Sequence, residues 1–315
     1  MHIILAAPRG FCAGVNMAVE SLQQAIRRYG TPIYVYHEIV HNSWVVSGFR
    51  NQGVVFVNDL AEVPEGAHLL YSAHGVSPEV RRQAAARHLA TIDATCPLVT
   101  KVHREAIHLA ARGYTIVLIG HAGHDEVLGT MGEAPEAFRL VQTIEDADSL
   151  EVHDPDRLAY LTQTTISLTE AEAIIGRLRA RFPKIVGPPK DDICYATQHR
   201  QEAVGKLSSE ARMVLVVGSR NSSNSRRLAE LARSAGTVSH LIDGPADIDL
   251  SWFSGDETVL ITAGASAPES VVRDCVALLA DRFGATVQSE SVCRDQVSFP
   301  LPKTLREGRR IKDKG

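Results

Sequence analysis

The sequence predicts an α/β fold of mostly parallel sheets, and three observations predict it. Short apolar runs alternate with helix-like segments of 12–18 residues, the runs are nearly continuous rather than alternating, and small-residue loops follow them. Uninterrupted apolar strands separated by amphipathic helices are what a parallel sheet covered on both faces requires. At 315 residues the chain is long enough for two or three such units.

In chain order, IILAA (3–7) opens as a strand, and VNMAVESLQQAIRRYG continues as a helix over 15–29. IYVYHEIV (33–40), which includes His37, VVFV (54–57) and LLYSA (69–73) read as strands. LVTKVHREAIHLAARG has a helical period, with Pro97 as its first residue, where a missing N–H costs nothing, and Gly113 past its end. TIVLIG (115–120) and LAYLTQ (158–163) are strands, and LTEAEAIIGRLRARF is a helix ending before Gly187. KDDICYATQHRQEAVGKL leads into a further helix. MVLVVG (213–218) is a strand, followed by a helix that begins near Ser225 and stops at Gly236. TVLITAG (258–264) and the helix ESVVRDCVALLADRF complete the pattern. Four junctions, LLYSAHGVSPEV, TIVLIGHAGHDEV, MVLVVGSRNSSNS and TVLITAGASAPES, repeat one theme: a strand, then a loop bearing His, Ser or Asn, then a helix. Ligand sites in open parallel sheets form at these carboxyl ends of strands.

A formal net charge of −4 gives no electrostatic footprint for nucleic acid. The one basic cluster, Lys303 to Lys314, sets six Lys/Arg against two acids and reads as a solvated, partly disordered terminus. No run of 18 apolar residues implies a membrane span, and the chain enters a strand at once without the blocks of a signal peptide. The expectation is a cytoplasmic monomer with no nucleic-acid or membrane partner. Five cysteines, an odd number, argue against a disulfide framework.

Three of the cysteines share one setting. Cys12 in PRGFCAGV, Cys96 in DATCPLVTKVH and Cys194 in KDDICYATQHR each stand at the mouth of a helix, 84 and 98 residues apart. A helix N-terminus favours thiolate, the metal-binding form. Cys275 lies inside an apolar helix and reads as a small buried hydrophobe, and Cys293 as incidental. Spacing alone does not identify a metal. Structural zinc usually takes four ligands from paired knuckles, which are absent here; three thiolates suit an iron–sulfur cluster with one open iron.

PRGFCAGV, HEIVHN, SAHGVS, DATCPLVTKVH, GHAGHDE, TQTTIS, KDDICYATQHRQEAV, GSRNSSNS and TAGASAP occur in an order that resembles the 4-hydroxy-3-methylbut-2-enyl diphosphate reductase family over residues 1 to about 300. The resemblance implies three similar α/β units with mostly parallel sheets arranged pseudo-threefold around a central iron–sulfur site. Their boundaries would be 14–96, 97–193 and 194–300, the last completed by strand 1–13 and followed by the basic tail 301–315. It implies reductive dehydroxylation of an allylic diphosphate to isopentenyl and dimethylallyl diphosphate in the methylerythritol phosphate route to isoprenoids. The cofactor would be a 4Fe-4S cluster on Cys12, Cys96 and Cys194, its fourth iron open to substrate. His41, His74, His124, Thr164, Ser222, Ser223, Asn224 and Ser266 would bind substrate, with Glu126 and Thr164 catalytic. A one-electron donor such as ferredoxin or flavodoxin would be the partner.

The residue types suit that chemistry. A diphosphate can be enclosed by imidazoles, hydroxyls and an amide without a Walker-type lysine, and the chain has no G-x-x-x-x-G-K-[ST] motif. Removing an allylic hydroxyl needs a Lewis acid, a proton and two electrons. Blander roles stand beside these: Ser and Asn of 219–225 as helix caps, Glu126 as a first-turn acid, Thr164 as a strand end, His121 as a capping residue. Asp125, between His124 and Glu126, departs from the family pattern, where proline is common. Two other readings compete with the reductase. One is a zinc-dependent hydrolase on His121, His124 and Glu126; the other is an iron- or redox-sensing protein that binds a cluster.

Overall fold

The computed structural model describes residues 1–306. Its strands are β1 His2–Ala7, β2 Ile33–Tyr36, β3 Val54–Val57, β4 His68–Tyr71, β5 Ala90–Asp93 and β6 Thr115–Ile119. They continue with β7 Phe138–Val141, β8 Leu158–Thr162, β9 Met213–Val217, β10 Val238–Ile242, β11 Thr258–Ala263 and β12 Thr286–Ser291. The helices are α1 Ala13–Tyr29, α2 Ser43–Arg50, α3 Pro78–Ala86, α4 Pro97–Ala111, α5 Asp125–Met131 and α6 Ile144–Ser149. After them come α7 Leu168–Arg181, α8 Tyr195–Leu207, α9 Ser223–Ser234, α10 Glu269–Phe283 and α11 Lys303–Arg306.

Two compact units divide the chain. The first comprises 1–15, 41–48 and 195–297, and the second 16–40, 49–194 and 298–306 of the described residues. The first holds a five-stranded sheet in the order β10-β9-β11-β1-β12, every pair parallel. Successive residues of its strands point to opposite faces. Ile3, Leu215, Val217 and Ile261 pack against Val272 and Cys275 of α10; Ile4, Val214, Val216 and Leu260 pack against Val204 of α8 and Leu228 of α9. Burial on both faces is why these strands are apolar without alternation. The second unit carries two smaller parallel sheets, β3-β2-β4-β5 and β7-β6-β8. The parallel α/β class is the one the apolar runs predicted, and the three sheets agree with the three units implied by the resemblance. No helix among the described residues is long and apolar enough to cross a membrane.

Local boundaries differ in instructive ways. β5 (ATID), β7 (FRLV), β10 (VSHLI) and β12 (TVQSES) have no apolar-run signal, and each is an edge strand. An edge strand pairs on one side only, and these four leave residues to solvent, so their sequences are mixed. The edge strands β3 and β8 are apolar instead, β8 being buried at every position. β2 ends at Tyr36, and His37 leaves it with φ +58 rather than continuing the strand. The helix expected near Ser225 starts at Ser223 because Ser222 caps it. Within the basic tail, Leu305 of α11 is buried and Thr304 O accepts from Arg28, while the side chains of Lys303 and Arg306 are exposed to solvent as expected. The rest of that cluster, from residue 307, lies outside the described residues.

Candidate active site

In the first unit the loop after β1 presents Cys12. Gly10 N donates to Ala263 O (3.3 Å) and Cys12 N to Ala265 O (3.1 Å), laying the loop along the end of β11. Gly10 has φ +67, and a Cβ there would lie 3.2 Å from Ala267 O, so position 10 needs glycine. Arg200, 1 % exposed, pins the same loop, donating to Gly10 O (2.8 Å) while its guanidinium pairs with Asp295 (2.9 Å). α1 begins at the next residue, and Val15 N donates to Cys12 Sγ at 3.5 Å.

The loops after β9 and β11 supply the hydroxyls. Ser266 donates to the His41 carbonyl (2.9 Å). Ser222 Oγ accepts from Ser225 N (3.3 Å), so the capping role is real for Ser222. A Cβ on Gly264 would fall 2.0 Å from Ser225 Oγ, so only glycine lets the start of α9 approach the end of β11 this closely. Beside that cap, Ser223 Oγ and both polar atoms of the Asn224 amide are buried without a hydrogen-bond partner among the described residues. Buried polar groups are nearly always satisfied, so three orphans on adjacent residues mark a place for a polar ligand.

In the second unit Cys96 is the N-cap of α4, directly before Pro97, and its N–H donates to Ala73 O (3.0 Å), joining α4 to the loop that bears His74. The His74 ring meets His124 edge to face, centroids 5.7 Å apart, and its Nδ1 is 3.9 Å from Asp125. His124 caps α5, its Nδ1 accepting from Glu126 N at 3.2 Å. An accepting Nδ1 carries no proton, so Nε2 is the protonated nitrogen and the one able to donate to a ligand.

Glu126 follows in the first turn of α5, 3 % exposed. Its Oε1 accepts from Thr164 N (2.6 Å) and its Oε2 from Thr164 Oγ1 (2.8 Å). Thr164 lies just past β8, and its carbonyl accepts from Cys194 N (3.0 Å). Glu126, Thr164 and Cys194, from three separate sequence motifs, are thus linked directly. Cys194 stands immediately before α8. Cys275 is fully buried in α10, where burial, then the charges of Asp274 and Asp247, push its thiol up to about 12.

Zinc on His121, His124 and Glu126 does not fit. Both Glu126 oxygens already accept from Thr164, and with His124 Nδ1 and His121 Nδ1 engaged only the two Nε2 atoms are left as imidazole ligands. Among the described residues these three do not gather their ligand atoms around one point.

Several charged residues beside the site had no role from sequence. Asp125 pairs with His37 Nδ1 (2.6 Å). Asp192 is buried, which pushes its carboxyl up to about 7 against the pull of the Lys101 ammonium and the Thr162 N–H. The acidic doublet before Cys194 was its only sequence signal. Glu133, 3 % exposed, accepts from His103 Nδ1 (2.8 Å) and Arg81 (3.1 Å). These contacts tie α4 to the segment leaving α5 and to α3. Burial pushes the Glu133 carboxyl up, and the hydrogen bonds and charges of His103 and Arg81 more than reverse it, leaving it below the ordinary carboxylate value. A carboxyl lowered on folding contributes stability above its unfolded pKa and loses it as pH falls through the folded one. Glu133→Gln is therefore expected to cost about 3 kcal/mol at neutral pH, as for one partner of a buried pair. It should also flatten the acid limb of stability. Denaturant unfolding at a series of pH values checks both, and an unchanged acid limb would contradict the assignment.

A family described as LytB protein matches residues 3–280. A Rhodopirellula baltica protein named 4-hydroxy-3-methylbut-2-enyl diphosphate reductase is 61 % identical over 97 % of this chain and 96 % of its own. An Azoarcus protein of the same name is 52 % identical over 98 % and 99 %. Among solved structures, that of the E-1-hydroxy-2-methyl-but-2-enyl-4-diphosphate reductase from Plasmodium falciparum superposes with TM-score 0.94 at 37 % identity, covering 97 % of each chain.

Proposed function

The chain belongs to the LytB protein family, and we propose that it is the reductase that converts (E)-4-hydroxy-3-methylbut-2-enyl diphosphate to isopentenyl and dimethylallyl diphosphate. The near-full-length identity to relatives of that name carries this reading. In the reaction the allylic C–O bond breaks, two electrons and one proton make a C–H bond, and a second proton leaves with the oxygen as water. The electrons come singly from an external donor such as ferredoxin or flavodoxin, in the cytoplasm.

The donor set fits an iron–sulfur group. Cys12, Cys96 and Cys194 are thiols, each directly before a helix, whereas the thiol of Cys275 is held protonated by burial. We assign the three as ligands of a 4Fe-4S cluster whose fourth iron is open. When bound, the cluster supplies the electrons and a Lewis acid for the substrate oxygen. Each parallel sheet falls within one proposed α/β unit: 14–96, 97–193, or 194–300 with 1–13.

The protein's own groups do the rest. Ser223 Oγ and Asn224 Nδ2, unsatisfied in this structure, donate to diphosphate oxygens together with Ser222, and Ser266 joins them by turning its hydroxyl from the His41 carbonyl. His124 donates through Nε2, and His41 and His74 complete the imidazole set. The Thr164 hydroxyl donates to Glu126 while that carboxyl is ionised; once the carboxyl takes up a proton the bond reverses, Oγ1 accepting from Glu126 and passing its own proton to the substrate alcohol.

The test is iron, acid-labile sulfide and zinc per chain on protein purified without oxygen, then turnover with reduced viologen. Roughly three to four irons with matching sulfide are expected, about what one cubane cluster requires, together with both products. Zinc without sulfide would overturn the cluster assignment and the proposal with it. A cluster with no turnover on the allylic diphosphate would favour the sensor.

A further inference from the structure

Lys101 lies in the second turn of α4, five residues past Cys96, and its ammonium points at the loop that ends in Cys194. It donates to Lys190 O (2.6 Å), Asp191 O (3.2 Å) and Asp192 Oδ1 (2.9 Å). An ammonium has three N–H groups, and this one has three acceptors on three consecutive residues. The Asp192 side chain is fully buried, and its second oxygen accepts from Thr162 N (3.0 Å), two residues before Thr164. Cys194 N then donates to Thr164 O (3.0 Å). One ammonium and one carboxylate thus connect the helix that Cys96 caps, the end of β8 next to Thr164, and the loop that delivers Cys194.

Exposed lysine ion pairs return little, because screening and the entropy of fixing two long side chains offset the attraction. A lysine holding two backbone carbonyls and a buried carboxylate is a different device, since it fixes the path of a loop that has no regular structure from Pro188 to Asp192. We infer that Lys101 and Asp192 are positioning residues that hold the Cys194 thiol and the Thr164 hydroxyl in register with Cys96. This rests on the assignment of those cysteines as ligands.

The test compares wild type with Lys101→Met, which keeps the apolar stem, and with the double variant Lys101→Met/Asp192→Asn. The double variant removes the fully buried charge and leaves only the part-exposed Glu105, 3.6 Å from the ammonium in wild type, without its cation. Iron release to a chelator is timed on oxygen-free holoenzyme. Amide exchange of residues 190–194 is followed on the iron-free protein. Lys101→Met is expected to release iron at least about tenfold faster, as for loss of groups that orient metal ligands, and to speed exchange across 190–194. The double variant should recover thermal stability but not iron retention, which separates positioning from charge burial. Wild-type release and exchange rates in Lys101→Met, or iron retention that recovers with stability in the double variant, would overturn the inference. If wild type itself holds no iron–sulfur group, the ligand assignment fails instead.

Discussion

Serine in place of Cys12, Cys96 or Cys194 is expected to leave a folded protein with almost no iron or sulfide, whereas Cys275→Ser keeps both. The contrast follows from the settings of the thiols. A hydroxyl is too weak an acid to become the anionic ligand that a thiolate provides. Cys12 Sγ already accepts the Val15 N–H, Cys96 caps α4 without a side-chain cap bond of its own, and Cys194 N is fixed by the Thr164 carbonyl. Each backbone is held by bonds that serine leaves intact, so the loss should fall on the metal and not on the fold. Cys275 packs among Val271, Val272 and Leu279, and its substitution costs packing and leaves a buried hydroxyl to satisfy. Iron and sulfide analysis with thermal unfolding on the four variants separates the two effects. A Cys194→Ser protein with a full complement of iron and sulfide would end the ligand assignment.

The parts of this fold that were legible from sequence are those whose environment is uniform. β9, MVLVV, is buried at every position between β10 and β11, and that demands an unbroken apolar run. β12, TVQSES, pairs with β1 alone, is exposed at nearly every position, and carries no such signature. Much of the same limit applies to the site. Helix-mouth cysteines announce themselves because Pro97 and the periodic segments behind them mark where each helix starts. The Glu126–Thr164 pair joins residues 38 apart, and Lys101 and Asp192 are 91 apart. Such contacts are made by the packing of β6, β8 and their following loops, and no local period encodes them. Even the split of His124 into a capping Nδ1 and a donating Nε2 depends on the backbone turning into α5 at that residue.

Glu126→Gln is expected to keep the iron–sulfur group and substrate affinity while lowering kcat by about a hundredfold or more, the usual worth of a positioned acid. The substitution is nearly isosteric, and an amide oxygen still accepts from Thr164 N. The other half of the amide is an NH₂, which can only donate, so the bond from Thr164 Oγ1 must reverse and the side chain can no longer take up and deliver a proton. KM should move little, because the groups assigned to the diphosphate lie on other residues. Thr164→Val removes the hydroxyl from the same line while keeping the side-chain shape. If the proton passes from Glu126 through Oγ1, either change alone breaks the path, and the double variant should be scarcely slower than the worse single one. Steady-state kinetics with reduced viologen on the three variants decides it. Wild-type kcat in Glu126→Gln removes this carboxyl from the proton path. Two losses that simply multiply would instead mean that Thr164 and Glu126 act on the substrate separately.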